Sequence, residues 1–246
     1  MCKIIGICGA RGTGRKTAAW LLAKTLEEQR SGTSYEKFQA LYECWVKLVI
    51  IDPSEACSTD HVILDSFGEH ILDQIKQFVP SLIEYDLHDE AATDNNWINP
   101  STFDVVNMRP DVIMNPQEYL DKINNHICLP FEIFMTISDF ILYFARDVMK
   151  TYFGDSVWLN VARYTASAAG SSDSRIYWDC KTQAELNYID KSNGTIIELR
   201  NADRAMNGGY RDISALDPDF ILDTVMGLER CAESFWNIAT QIRNKD

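Results

Sequence analysis

An α/β fold built on a mostly parallel sheet is predicted by three observations. Short apolar runs rich in β-branched residues alternate with stretches of helical spacing along the chain. The first of these runs is followed by a glycine-rich turn and then directly by a helix pattern. Pairs of turn residues separate the later runs, and no segment repeats.

The elements follow in order. "KIIGIC" (3–8) is a strand, the turn 9–14 carries Gly9, Gly12 and Gly14, and "RKTAAWLLAKTLEEQ" is a helix with Ala19, Leu22, Ala23 and Leu26 on one face. "VKLVIID" (46–52), ended by Pro53, is expected to be a second strand. "SFGEHILDQIKQFV" is a helix with Phe67, Ile71, Ile75 and Phe78 on one side. Residues 84–127 are acidic, rich in Asn and interrupted by Pro100, Pro110 and Pro116; we expect an inserted, lid-like region at about 84–130 within a single domain, 1–246. A helical stretch over 131–151 and a helix in "SVWLNVARYTASA" follow. "RIYWDC" is a strand, "TQAELNYIDKS" a helix closed by the Asn193-Gly194 pair, "TIIELR" a strand, "DFILDT" a strand, and "MGLERCAESFWNIATQIRN" the closing helix with Leu228, Cys231, Ala232, Phe235, Ala239 and Ile242 along one face.

Bulk properties narrow the function. The chain has 246 residues and a net charge of −13, with no basic run longer than Arg15-Lys16. A duplex nucleic-acid backbone is therefore a disfavoured main partner, whereas small anions remain open because a helix N-terminus and a few cations suffice for them. No apolar run reaches the ~20 residues of a membrane span, and no signal region opens the chain, so a cytoplasmic, membrane-free protein is expected. The seven cysteines form no C-x-x-C pair and are expected as buried small hydrophobes. Homodimer formation is left open.

The glycine turn has the parts of a phosphate loop: glycines that let amide N–H groups point inward, and a helix whose positive end follows at once. The lysine position is altered, and two registers compete. Counting from Gly9 ends the loop at Gly14 and puts Arg15 at the lysine position, with Thr17 one turn into the helix as a Mg²⁺ hydroxyl. Counting from Ala10 reads Lys16-Thr17 as the final pair but puts Arg15 at the required glycine. The first register is preferred because the backbone cannot easily spare that glycine. Arginine keeps the charge but is larger and forked.

Several segments resemble the bacteriophage deoxynucleoside monophosphate kinases, a branch of the P-loop kinases. Gly9–Thr17 overlays that family's G-x-x-x-x-G-K-D-T loop without a gap. "FGEHILD" (67–73) is similar to its F-A-x-P-I-K-D segment, keeping Phe67, Ile71 and Asp73 but with Leu72 at the lysine. "SDFILYFARDVMKTYFGDSVW" follows another family segment at Asp147, Phe153-Gly154 and Trp158, with Ser138, Leu142 and Ala145-Arg146 departing from it. "DCKTQAELNYIDKSNGTIIELR" matches a fourth at Asp179, Glu185, Gly194 and Arg200, with Lys181 in place of an arginine. "DFILDTVMGLERC" is similar to the closing strand and turn, with Asp223-Thr224 where Asn-Asp is common.

The resemblance implies a P-loop kinase-like three-layer fold and transfer of the ATP γ-phosphoryl group to a deoxynucleoside monophosphate, serving viral DNA precursor synthesis in a bacterial cytoplasm. It implies a nucleotide site at Gly9, Arg11, Gly12, Thr13, Gly14, Arg15, Lys16, Thr17 and Arg200, with Thr17 holding Mg²⁺. Charge neutralisation would come from Arg15, Lys16, Lys181 and Arg146, and the acceptor side from Asp73, Asp179, Lys181 and Glu185. Asp179 is equally readable as a turn cap, and Phe153 and Trp158 are expected in the core rather than on a base. Because scaffold positions persist while ligand-facing ones have changed, two alternatives stand beside the kinase: a catalytically impaired relative that binds a nucleotide or a protein partner, and a kinase acting on a modified base in DNA.

Overall fold

The computed structural model describes the chain apart from residues 1, 10–12, 53–55, 88–89, 128–132, 155, 169–173, 181, 201–216, 226 and 246; for 51, 90, 91, 146 and 165–168 it describes the backbone alone. In chain order the elements are β1 (Lys3–Gly9), α1 (Arg15–Arg30), α2 (Tyr35–Ile51), β2 (Val62–Asp65), α3 (Phe67–Phe78), α4 (Glu90–Asp94), β3 (Trp97–Ile98), β4 (Val105–Val106), α5 (Pro116–Asn124), β5 (Met135–Thr136), α6 (Ile137–Leu142), a π-helical stretch (Tyr143–Val148), α7 (Met149–Phe153), α8 (Val157–Ala168), β6 (Ser174–Cys180), α9 (Gln183–Lys191), β7 (Thr195–Arg200), β8 (Phe220–Asp223) and α10 (Ala232–Asn244). They fall into two compact units, residues 1–67 with 163–246, and residues 68–162.

The first unit is an α/β structure around a five-stranded sheet of order β2-β6-β1-β7-β8, parallel at every described pairing. Helices flank it on both faces. Ile5 and Ile7 of β1 enter the core formed with α1, α2 and α10, where Leu22, Phe38, Tyr42, Phe235 and Ala239 are buried. The alternate residues face the other way: a Cβ on Gly6 would meet Ile189 of α9 at 3.0 Å. A parallel sheet flanked by helices is the class the sequence predicts, and the arrangement is compatible with a three-layer fold.

The second strand is not where the apolar run 46–52 predicts it. That run is the last turn and a half of α2, with Phe38, Tyr42, Val46 and Val49 buried at helical spacing. Its β-branched residues satisfy one helical face as well as they would a strand, and the helix already under way from Tyr35 decides the outcome. The sheet's second strand is instead "VILD" (62–65).

The second unit contains a three-stranded sheet, β4-β3-β5, and its own core, including Ile75, Leu82, Met135, Phe140 and Trp158. The acidic stretch 84–127 thus carries α4, β3, β4 and α5 inside this unit. The helical stretch expected over 131–151 opens with β5 before turning helical. Trp158 is buried and donates from Nε1 to the Ala145 carbonyl at 2.9 Å. Phe153, expected in the core, is 64% exposed; it lies at the end of α7, where Gly154 (φ 84°) turns the chain away. No helix among the described residues is long and apolar enough to cross a membrane.

Candidate functional site

β1 ends at Gly9, whose φ of 144° favours glycine. A Cβ there would lie 2.6 Å from the Leu199 carbonyl oxygen and 3.2 Å from Oγ1 of Thr13, so a larger residue would collide with β7. Gly14 is left-handed (φ 79°, ψ 32°) at the N-cap of α1, and no side chain caps the helix. That backbone is one glycine adopts without penalty, which favours the register counted from Gly9. Thr13 is buried and Thr17 half-buried in the first turn.

The charge at this helix start differs from that of six other helices. α2, α3, α5, α6, α9 and α10 each place an acid in the first turn: Glu36, Glu69, Glu118, Asp139, Glu185 and Glu233. α1, like α7 and α8, has no acid there, and it carries Arg15 and Lys16. Each cation opposes the helix dipole by roughly 0.3–1 kcal/mol. Arg15 Nη1 is buried with no hydrogen-bond partner among the described residues. Lys16 is exposed, its Nζ 5.6 Å from the ring centroid of Trp178 on β6.

The strands beside β1 complete the surroundings. Cys8 lies opposite Cys180 of β6 and Glu198 of β7 in register. Burial pushes the Cys8 thiol up to about 11, with Glu198 adding to the rise and Arg15 opposing it. The two connections leaving β1 and β6 run to opposite sides of the sheet, since β1 leads to β2 and β6 leads to β7 across it. Such a reversal opens a crevice at the carboxyl ends of the two strands, where ligands of open α/β sheets gather. Gly9 ends β1 and Asp179 lies one residue before the end of β6. The segment after β8 also reaches the loop: a Cβ on Gly14 would stand 3.3 Å from Cδ1 of Leu228, whose carbonyl accepts from the Tyr42 hydroxyl at 2.6 Å.

The remaining sequence-predicted residues are distributed as follows. Asp179 is 2% exposed and accepts from Ser66 Oγ (2.8 Å) and the Phe67 amide (2.9 Å), so it caps the start of α3. Glu185 forms a capping box with Thr182 at the start of α9. Arg200 is exposed at the end of β7 and pairs with Glu198 at 2.8 Å, while its carbonyl accepts from the Thr224 amide. Asp73 is exposed on α3 in the second unit. Arg146 lies in the π-helical stretch of that unit, a rare backbone form frequent at functional sites, and its side chain is outside the described atoms. Arg11, Gly12 and Lys181 lie outside the described residues.

Sequence reasoning missed one group. Asp65 ends β2 and forms a buried ion pair with Arg175 of β6, also donating nothing but accepting from the Ser66 amide at 2.8 Å. Asp65, Ser66 and Asp179 therefore sit together at the carboxyl ends of two adjacent parallel strands. The signal was "VILD-S", an apolar run ending in a carboxylate, hidden by the stronger apolar run before it. No group of three or more His, Cys, Asp or Glu side chains among the described residues could hold a metal ion by themselves. No protein-family model matches the chain, and no curated protein matches it either.

Proposed function

We propose that the chain is a (deoxy)nucleoside monophosphate kinase-like protein of the phage type, carrying the ATP γ-phosphoryl group to a deoxynucleoside monophosphate for viral DNA synthesis in the bacterial cytoplasm. The observation that carries this reading is the start of α1: a left-handed glycine, no side-chain cap, no acid, two cations and a buried guanidinium nitrogen with no hydrogen-bond partner among the described residues. Each is unfavourable or idle in isolation, and a polyphosphate answers all of them.

In this reading the amides from Gly9 to Gly14 and the first turn of α1 cradle the phosphates. Arg15 and Lys16 neutralise charge on the transferred group, an electrostatic and positioning role that requires no nucleophilic side chain. Lys16 reaches the phosphates by leaving the Trp178 ring, an interaction of only ~0.5–1 kcal/mol at an exposed site. Thr17 would supply a hydroxyl ligand to Mg²⁺, which would offset charge on the phosphates. The acceptor would enter at the crevice beside β6, with Lys181 as its cationic partner and Glu185 on the acceptor side.

A second reading, binding without turnover, is favoured by a specific observation: the Asp179 carboxylate is engaged by Ser66 and Phe67, and Leu72 stands where the resemblance expects a lysine. Calorimetry with ATP and Mg²⁺, followed by coupled ADP release across the four dNMPs, separates the two. Heat with turnover supports the kinase, and heat without turnover supports the binder. No heat with ATP, ADP or any dNMP removes both.

A further inference from the structure

α2 is apolar on two sides. Phe38, Tyr42, Val46 and Val49 bury one side of this helix in the core. On the other side Leu41, Cys44 and Leu48 follow at alternating spacings of three and four residues, so they line up as one stripe along the helix. Leu41 is 37% and Leu48 43% exposed, and Cys44 is exposed between them. A helix with a single core face carries polar residues at such positions.

The charges beside the stripe are arranged to match their own copies. Leu41 and Leu48 lie along one edge of it. Glu43 and Lys47 stand one turn apart along the other edge, both exposed, and neither has an ion pair among the described residues. The charged residues of α2 are Glu36, Lys37, Glu43 and Lys47, which cancel, in a chain whose net charge is −13. A second copy of so acidic a chain is repelled by most of the molecule's charge. At this locally neutral face that barrier is least.

We propose that α2 pairs with α2 of a second copy, antiparallel, about a two-fold axis level with Trp45. A two-fold interface requires a self-complementary surface. In this arrangement each edge of the stripe faces its own equivalent. Glu43 comes level with Lys47 of the second copy, and Lys47 with Glu43, so both unpaired charges find a partner. On the other edge Leu41 lies within one residue, about 1.5 Å along the helix, of level with Leu48 of the second copy. Cys44 fills the middle. A parallel pair would instead set the charged edge against the leucine edge. A contact confined to one stripe of one helix is small, so the dimer is reversible, with a micromolar Kd. The pairing is independent of the phosphate-loop reading and does not require it.

The test is sedimentation equilibrium of the full chain across the micromolar range, with maleimide labelling of Cys44 followed by mass spectrometry at each concentration. The wild type is expected to pass from monomer to dimer, and Cys44 labelling to slow as the dimer forms. Leu48→Glu puts a charge into the apolar stripe and weakens dimerisation about tenfold or more. Glu43→Lys and Lys47→Glu each set like charges against one another across the axis and weaken it about threefold or more. The double variant Glu43→Lys/Lys47→Glu restores both pairs and recovers the wild-type dimer. All three positions are exposed, and circular dichroism checks that each variant is folded. A chain that stays monomeric throughout overturns the proposal. So does a dimer that Leu48→Glu leaves unchanged, one in which Cys44 labels as fast as in the monomer, or one that the double charge swap fails to restore.

Discussion

Asp179 offers the sharpest separation of scaffold from chemistry. Its carboxylate is 2% exposed and holds both the Ser66 hydroxyl and the Phe67 amide. A hydrogen bond to a charged partner contributes about 1.5–3 kcal/mol, and an amide left unsatisfied in the interior adds its desolvation penalty. Asp179→Asn keeps the shape, removes the charge and replaces at least one charge-assisted bond with a neutral one, the Ser66 hydroxyl having to turn and accept. We therefore expect a loss of about 3 kcal/mol. Ser66→Ala removes one of the two bonds and leaves the amide capped, for a loss of about 1.5 kcal/mol. At roughly 2–4 °C per kcal/mol for a protein of this size, these losses lower Tm by about 6–12 °C and about 3–6 °C. The double variant should fall short of the sum, because the two changes share one bond. Thermal unfolding followed by circular dichroism reads all three. A Tm for Asp179→Asn within 2 °C of wild type, or a larger drop from Ser66→Ala, would refute the capping argument and return Asp179 to a purely ligand-facing role.

Four further outcomes are expected. Trp158→Ala empties a buried, hydrogen-bonded position and costs about 3–5 kcal/mol, whereas Phe153→Ser, at an exposed position, stays within about 0.5 kcal/mol; urea denaturation distinguishes them. Cys2, Cys44 and Cys57 are exposed and react with Ellman's reagent in the native state at pH 8, while Cys8, Cys180 and Cys231 react only on unfolding. Burial raises the Cys8 and Cys231 thiols from the ordinary 9.0 to about 11, so the folded chain keeps protons the unfolded chain releases; stability is intact below pH 9 and falls as the pH approaches 11, which denaturant midpoints at pH 8 and 10.5 will report. Finally, Lys16→Glu places an acid where the helix dipole favours one, so it raises the Tm of the ligand-free chain slightly and abolishes the calorimetric signal of ATP, while Arg15→Lys keeps that signal.

What was legible in the sequence divides along physical lines. Elements bounded by strong local signals came out where expected: the capping box at Thr182 and Glu185, the left-handed Asn193 (φ 53°) before Gly194, and the glycine turn into α1. The run 46–52 misled because β-branched residues fit a strand and a helix face equally, and the helix already under way from Tyr35, with Phe38 and Tyr42 buried on the same face, decides between them. The candidate site was legible as far as it is continuous in the chain. Gly9, Gly14, Arg15 and Lys16 lie on one turn; the Asp65–Arg175 pair and the Ser66–Asp179 bond join residues 110 and 113 positions apart, which no local pattern encodes. Phe153 and Trp158 show the same limit. They fall in one motif five residues apart, yet one is buried and the other stands in solvent.

Four helix starts carry side-chain caps. Asn115, Thr136, Thr182 and the Ser66–Asp179 pair each satisfy amides at a helix start. At α1 the opposite choices coincide: two cations against the dipole, no side-chain cap, and a buried guanidinium nitrogen without a hydrogen-bond partner among the described residues. A buried polar group left unsatisfied costs about 1–3 kcal/mol, and the two cations add roughly 0.3–1 kcal/mol each. Taken together these are a substantial part of a typical folding free energy of 5–15 kcal/mol. An anion that binds there meets groups already placed and already destabilising, so part of its binding free energy is relief of that penalty. A turn serving structure alone has no such return. One acid in the first turn, as in α2, α3, α5, α6, α9 and α10, would remove much of the penalty at once, and α1 combines its absence with two cations, which is the combination the proposed anion would relieve.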